Sequence, residues 1–433
     1  METINSTNQN IDLIKLLKRE QNDVTSIVSE ILQNVKQNGD QAVVQYSSKF
    51  DGVDSNSVRT MKRTELESYV SMVKTSLTKS QIDAIDTAYR NVTWFAEKSI
   101  PKNWIETGID GQRAGEQFTP LNRVACYVPQ GSFPLISTVI HTCAIAQTCG
   151  VKEIVIVTSP SKEDLNPAFA YAAYISGVTE IIFAGGAQGI GAVAYGTETI
   201  NNVDFICGPG NAYVAEAKRQ VFGEVGIDMI AGPSEVFIIA DKTALPYNIA
   251  CDLLAQAEHG SGFERSVLLT DSAELINKVK KELEDLKPRI KNNPGFEKVW
   301  ENNIFLILTA DVRQAMEISN SYGPEHLELQ VNNAQDLLNQ ITSAGAVFIG
   351  NYSAEPLGDF VIGPSHVLPT NSTARFSSGL SSGSFFKRTS ILEIDSQTYS
   401  KLCDFSKEFA DMEGLTAHGI SSISRKDTNV STK

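Results

Sequence analysis

The chain has 433 residues, 42% of them hydrophobic and 20% charged, an ordinary globular composition with room for two or three domains. Its formal charge is −14, from 37 Lys+Arg against 51 Asp+Glu, and a surface that acidic repels nucleic acid and anionic membrane. No apolar run is long enough to span a bilayer, the start Met1-Glu-Thr-Ile-Asn-Ser6 lacks signal-peptide character, and six scattered cysteines form no CxxC pair, so a reduced, soluble, cytoplasmic protein is expected.

Residues from about 8 to 100 read mostly as helix, because Ile27, Ile31, Leu32 and Val35, and then Leu66, Val70 and Val73, recur at helical spacing. A strand follows at Arg123–Val128. From there to about 240, apolar runs of strand length alternate with helical stretches. The strands are Glu153–Val157, Glu180–Ala184, Phe205–Cys207 and Val236–Ala240, and helices lie at about 165–176, 188–195 and 211–221. Fully apolar strands alternating with helices predict a parallel sheet covered on both faces. A second alternating region holds a helix at 247–258, a strand at Ser266–Thr270, a charged helix at 273–287, and strands at Ile304–Leu308 and Ala346–Ile349. Residues 370–385, rich in Ser, Thr and Gly, read as a loop, and a last helix spans about 397–412. An α/β protein with two domains of similar size is the expectation.

The five histidines carry most of the chemical signal. Gln256 and His259 stand at i and i+3 near a helix end, so an amide oxygen and an imidazole share one face and can hold one edge of a metal. The same His also suits a helix C-terminus before Gly260. Glu325 and His326 follow Pro324. In a turn led by that proline both could line a pocket, with the imidazole as a general base near neutral pH, or both could face solvent. Asp359, next to Gly358, offers a hard oxygen ligand, and His366 sits in a Gly-Pro-Ser loop. Glu413 and His418 lie near the C-terminus, while His141, inside an apolar stretch, reads as a core histidine. Gly189-Ile-Gly-Ala-Val-Ala194 matches GxGxxA only formally, since the turn begins earlier, at Gly185, and no acidic residue follows at the dinucleotide spacing. Gly208-Pro-Gly-Asn211, between a strand and a helix, is the better anion cradle, and Gly232-Pro-Ser234 is a similar strand-end loop.

Taken in order, several blocks resemble the signature of the histidinol dehydrogenase family. They are Tyr127-Val-Pro129, Gly185-Gly-Ala-Gln188, the run from Gly208 to Gln220, Ala231–Val236, Gln256–Gly260, Gly323–Leu329, His366–Thr370 and Glu413–His418, and they cover roughly residues 24 to 420. The resemblance implies two similar, incomplete Rossmann-like domains with parallel-rich sheets and small terminal helical segments. Its boundaries would be an N-terminal helical segment over 1–23, a first discontinuous α/β domain over 24–126 and 235–380, a second, NAD-binding domain over 127–234, and a C-terminal segment over 381–433 that crosses to a partner subunit. It implies oxidation of L-histidinol through L-histidinal to L-histidine with two NAD, closing histidine biosynthesis. Gln256, His259, Asp359 and His418 would hold one zinc ion per subunit. His326 would be the general base, and Glu325 would activate water. Ser234, His366 and Glu413 would contact substrate along with the zinc ligands and His326. Tyr127, Gln188 and Asn211 would line the NAD site. The partner would be a second copy of the chain, with the active site shared across a homodimer.

The chain departs from the family pattern at Gln130, Phe360, Ser365 and the stretch Phe133–Thr138, none of which is an implied ligand or base. Two other functions stay open at this level. One is a related zinc- and NAD-dependent dehydrogenase of another alcohol, such as a sulfonated diol. The other is a non-catalytic metal- or nucleotide-binding protein.

Overall fold

The computed structural model describes residues 1–7, 15, 17, 23–129, 134–161, 164–291 and 293–426. The chain divides into a larger unit, Met1–Ile100 with Leu121–Phe385, and a smaller one, Pro101–Pro120 with the chain from Phe386 onward. The departures at Gln130 and Phe133 lie outside the described residues.

The chain opens in a strand, β1 (Glu2–Asn5), where a helical segment was expected for 1–23. Four residues are too few to show a period, and β1 exists only because it pairs in parallel with Phe305–Leu308 far along the chain. Most of the remaining segment to residue 22 lies outside the described residues. Helix α1 (Thr25–Asp51) follows. It buries Val28, Ile31, Leu32 and Val35 on one face, then kinks at Gly39 (φ 50°) and buries Ala42, Val43 and Tyr46. After α1 come β2 (Arg59–Lys62), α2 (Arg63–Val73) and α3 (Lys79–Lys98), the last opened by a capping box between Thr78 and Gln81.

Strands β3 (Trp104–Thr107) and β4 (Arg113–Pro120) belong to the smaller unit. The larger unit resumes with β5 (Arg123–Tyr127), a helix α4 over 136–148, β6 (Glu153–Thr158), α5 (Pro167–Ile175), β7 (Glu180–Phe183) and α6 (Gly186–Tyr195). Then come β8 (Phe205–Cys207), α7 (Ala212–Val221) and β9 (Gly226–Ile227). The sheet order is β2-β7-β6-β5-β8-β9, all parallel except β2, which runs antiparallel to β7. Helix α1 packs on α6, where Gly191 meets Leu32 and a Cβ would come within 3.0 Å of that side chain. Val155, Val157 and Ile182 from the sheet join Val28, Leu32 and Ile190 in one core. Strand β2 and helix α1 therefore tie the larger-unit part of 24–126 to 127–234, correcting the expected grouping with 235–380, while 101–120 belongs to the smaller unit. Helical spacing shows which face of α1 is apolar but carries nothing about which sheet covers it.

The second sheet repeats this plan. It uses β10 (Glu235–Ala240), α8 (Pro246–Ala257), β11 (Arg265–Thr270), α9 (Ala273–Leu286), α10 (Pro294–Asn302), β12 (Ile304–Leu308), α11 (Val312–Tyr322), β13 (His326–Gln330), β14 (Ala346–Ile349) and α12 (Glu355–Phe360). Its order is β1-β12-β11-β10-β13-β14, parallel throughout. The strand order reverses once in each sheet, between β5 and β8 and between β10 and β13. The fold is thus α/β with two parallel-rich sheets, as expected.

The smaller unit is an antiparallel sheet ordered β15-β4-β3, with β15 (Phe386–Glu393), followed by two mutually packed helices, α13 (Ser396–Met412) and α14 (Thr416–Ile423). Asp395 caps α13 by accepting from the Thr398 N–H. Among the described residues, no helix is long and apolar enough to cross a membrane.

Candidate active site

The larger unit concentrates polar chemistry at two sheet ends. At the C-terminal edge of the first sheet, Gly208 turns with φ 111°, and a Cβ there would lie 2.2 Å from the Tyr127 carbonyl oxygen. Glycine is the residue that lets the ends of β5 and β8 approach so closely where the strand order reverses. A buried Lys218–Asp228 ion pair pins this turn. Asp228 accepts from the Gly208 N–H at 2.8 Å, and Lys218 donates to the Gly208 carbonyl at 3.0 Å.

Two neighbouring turns complete this edge. The Tyr127 hydroxyl accepts from the Gly186 N–H at 3.0 Å, where α6 begins, and Gln188 is buried in the first turn of that helix. Asn211 caps α7 by accepting from the N–H groups of Tyr213 and Val214 at 3.0 and 3.1 Å, so its amide oxygen already has partners. The GxGxxA match lies inside α6 and not in the turn, as its spacing predicts.

Asp51, which sequence reading passed over, lies close to Tyr127 and within reach of the Ser159 hydroxyl. Burial pushes its carboxyl up to about 6, and Ser159 offsets this only in part. The folded state then keeps its proton between about pH 4 and 6 while the unfolded chain loses it, so stability falls as pH rises through that window. Because Asp51 is only partly buried, screening leaves about 1 kcal/mol of this penalty. Asp51→Asn should therefore gain about that much over the parent at pH 7.5 and nothing at pH 4, by denaturant unfolding. An equal difference at both pH values would contradict the assignment.

The second site lies at the opposite end of its sheet, the N-terminal edge of β10 and β13. Gly323 (φ 73°) ends α11, and the chain then enters β13 at His326. Glu325 and His326 are therefore at a strand entrance, not in the free turn that sequence suggested, and both are buried. Glu325 curls back to accept from the Glu235 N–H at 2.8 Å and lies 3.7 Å from His326 Nδ1. His326 Nδ1 stands 3.0 Å from the Glu235 carbonyl oxygen. A carbonyl only accepts, so in the neutral ring Nδ1 carries the proton and Nε2 presents the lone pair. Nε2 has no hydrogen-bond partner and faces Asp359 at 3.6 Å and Glu355 at 3.9 Å.

Asp359 and Glu355 share α12. With His259, just past the end of α8, they place one ligand atom each within 4.8 Å of one another. One turn earlier on α8, Gln256 is fully buried with neither amide atom hydrogen-bonded. Glu355 was not among the residues expected here. It was hidden because its own neighbours, Ala354 and Pro356, carry no chemical signal. Beneath it, Gln330 bridges Asp252 and Glu328, two further buried acids. Burial pushes Glu355 up to about 9, with Asp359 adding to the effect, and pushes Glu325 up to about 7, partly offset by His326. Burial also opposes charge on His326, but with no cation in the cluster Glu325, Asp359 and Glu355 outweigh it and draw the imidazole up to about 10; a divalent ion held by Asp359 would cancel much of that pull and leave Nε2 free to act as a base.

A buried cluster so rich in carboxylates, with an orphaned amide and imidazole at its rim, fits a divalent cation. The mixed N/O donors suit zinc while leaving room for substrate atoms. His366 closes the site from the other side, with its Nδ1 2.9 Å from the Asp359 carbonyl oxygen. Ser234 precedes β10, and its carbonyl accepts from the Arg265 N–H at 3.1 Å. The structure thus gathers His259, Asp359, His326, Glu325 and His366, and adds Glu355. Glu413 and His418 are exposed residues of the smaller unit, on and just before α14.

Known proteins match this chain over nearly its whole length. The family model described as histidinol dehydrogenase matches residues 15–426. The chain is 41% identical over 392 residues to the histidinol dehydrogenase of Neisseria gonorrhoeae, covering 90% of this chain and 91% of that one. It is 42% identical over 406 residues to that of Lactiplantibacillus plantarum, covering 94% and 93%. The crystal structure of histidinol dehydrogenase from Elizabethkingia anophelis superposes with a TM-score of 0.91 at 32% identity, over 98% of both chains. With two parallel sheets, a buried base and matches of this extent, the chain belongs to the histidinol dehydrogenase family.

Proposed function

We propose that this chain oxidises L-histidinol through L-histidinal to L-histidine. The observation that carries the reading is the buried Glu325–His326 pair, set directly against the His259–Asp359–Glu355 cluster. His326 Nε2 takes the hydroxyl proton of the alcohol. Glu325, poised near neutrality, takes a proton from water as the water adds to the aldehyde. His326 again takes the hydroxyl proton of the resulting hydrate. NAD, when bound, accepts the hydride released at each oxidation. In balance, one alcohol, one water and two NAD give one carboxylate, two NADH and three protons.

Gln256, His259 and Asp359 would hold zinc, with His418 of a second copy as a further ligand. Bound there, zinc supplies the positive charge the carboxylates lack, orients the substrate nitrogens and acts as a Lewis acid. Glu355, drawn up to about 9 with no cation present, is the hydrogen-bonding neighbour of Asp359. Ser234, His366 and Glu413 would contact substrate. Tyr127, Gln188 and Asn211 would line the NAD site at the β5/β8 reversal, and the boundary between cofactor-binding and substrate-binding regions would fall near Ser234. Support for the shared dimer comes from the smaller unit: Phe405, Phe409, Met412, Leu415 and Ile420 stand exposed along α13 and α14, an apolar face that a second copy would bury.

The test is NADH formation from L-histidinol and NAD, before and after chelation and zinc return, with histidine counted at the end. About two NADH per histidine, lost on chelation and restored by zinc, is the expected result. A folded, zinc-loaded protein that makes no NADH from histidinol would refute the substrate and point to another alcohol.

A further inference from the structure

Helix α4 is broken by a π-helical turn, Ile140–Ala144, and His141 sits inside it, fully buried. Such turns spend a wider backbone ring to re-aim one side chain. Here the side chain is aimed at the turn that follows α12. The His141 and His366 rings stack with centroids 4.5 Å apart and planes 11° from parallel. The His366 backbone N–H donates to His141 Nδ1 at 3.2 Å, and His141 Nε2 lies 3.3 Å from the Phe360 carbonyl oxygen. The Ser365 hydroxyl donates to the His141 carbonyl at 2.9 Å.

These partners dictate the protonation of both rings. An N–H can only donate, so His141 Nδ1 is bare; a carbonyl can only accept, so Nε2 carries the hydrogen. Burial and the neighbouring His366 hold His141 down to about 3, so it stays neutral. By the same logic, His366 donates from Nδ1 to the Asp359 carbonyl, leaving Nε2 as the acceptor near the Thr138 hydroxyl at 3.1 Å. Thr138 also belongs to α4. One helix from the first sheet therefore fixes both ends of the 359–366 turn, which carries Asp359 at one end and His366 at the other.

We infer that His141 is a positioning residue. It sets the ring plane of His366 and the placement of Asp359 relative to the C-terminal edge of the first sheet. The inference rests on the substrate and metal roles proposed above for His366 and Asp359. No other described side chain stacks on the His366 ring, and the turn around it is short, so its geometry depends on this clamp.

The test uses the full-length, zinc-loaded protein. His141→Phe keeps an aromatic ring for the stack and removes both side-chain hydrogen bonds. We expect zinc to be stripped at about tenfold lower chelator concentration, and the KM for L-histidinol to rise by a similar factor. The KM for NAD should stay unchanged, while the thermal midpoint falls by a few degrees because the His366 N–H loses its acceptor. His141→Asn, whose amide oxygen can accept the His366 N–H, should recover part of both losses. A folded His141→Phe protein with zinc retention and histidinol KM within about twofold of the parent overturns the inference. If His141→Phe fails to fold, His141→Asn decides by the same two readouts. A parent protein inactive on histidinol would sink the substrate reading alone, because the chelator curves still judge His141.

Discussion

His326→Gln is expected to lower turnover of L-histidinol by ~10²–10⁴-fold while zinc content and the KM for NAD hold. The reason is the unpartnered lone pair that its neutral ring presents at Nε2. Nδ1 is committed to the Glu235 carbonyl, so Nε2 is the only nitrogen able to take a proton, and nothing hydrogen-bonds it. Glutamine fills similar volume and its amide N–H can still meet that carbonyl, but it offers no base of useful strength. Glu325 does not substitute, because one of its oxygens is held by the Glu235 N–H. Steady-state rates with metal analysis of the same sample decide the point. A variant within about tenfold of the parent would move the proton-accepting role away from His326.

Asp359→Ala and His418→Ala are each expected to abolish zinc retention and activity as homodimers. Asp359, partly buried, shares a cluster with exposed His259 and buried Glu355, and its carboxyl is held below the usual range: burial opposes the charge but His326 outweighs it. Removing it leaves His326, Glu325 and Glu355 without the anion that organises them. His418, exposed on α14, would lose only its contact to a second copy. Mixing the two variants under subunit exchange should restore about a quarter of the sites, since random pairing makes half heterodimers with one intact site each. Verified exchange with no recovery would show that each site is built from one chain.

Much of this was legible in the residues alone. The apolar runs at 153–157, 180–184 and 304–308 read as buried parallel strands, and their alternation with helices gave the α/β class. Periodicity located α8 to within a residue at each end, which puts Gln256 in its last turn and His259 just past it. The ordered motifs gave the family. Other features left no local trace. Strand β1 is four residues whose only justification is a partner some 300 residues away. Glu355 looks like any acid beside a proline until α12 turns it toward His326. His141 reads as a core histidine, and only the packing of α4 on the 359–366 turn gives its ring a task.

The amino-acid sequence by itself determined the elements, the α/β class and the set of groups able to do the chemistry, because helical and strand periods and short motifs are local properties. Tertiary structure alone decided that α1 and β2 serve the first sheet, that β13 begins at His326, and which nitrogen of that ring is free. Those outcomes depend on hydrogen bonds and contacts between residues far apart in the chain, and no local pattern encodes the partner of a buried group.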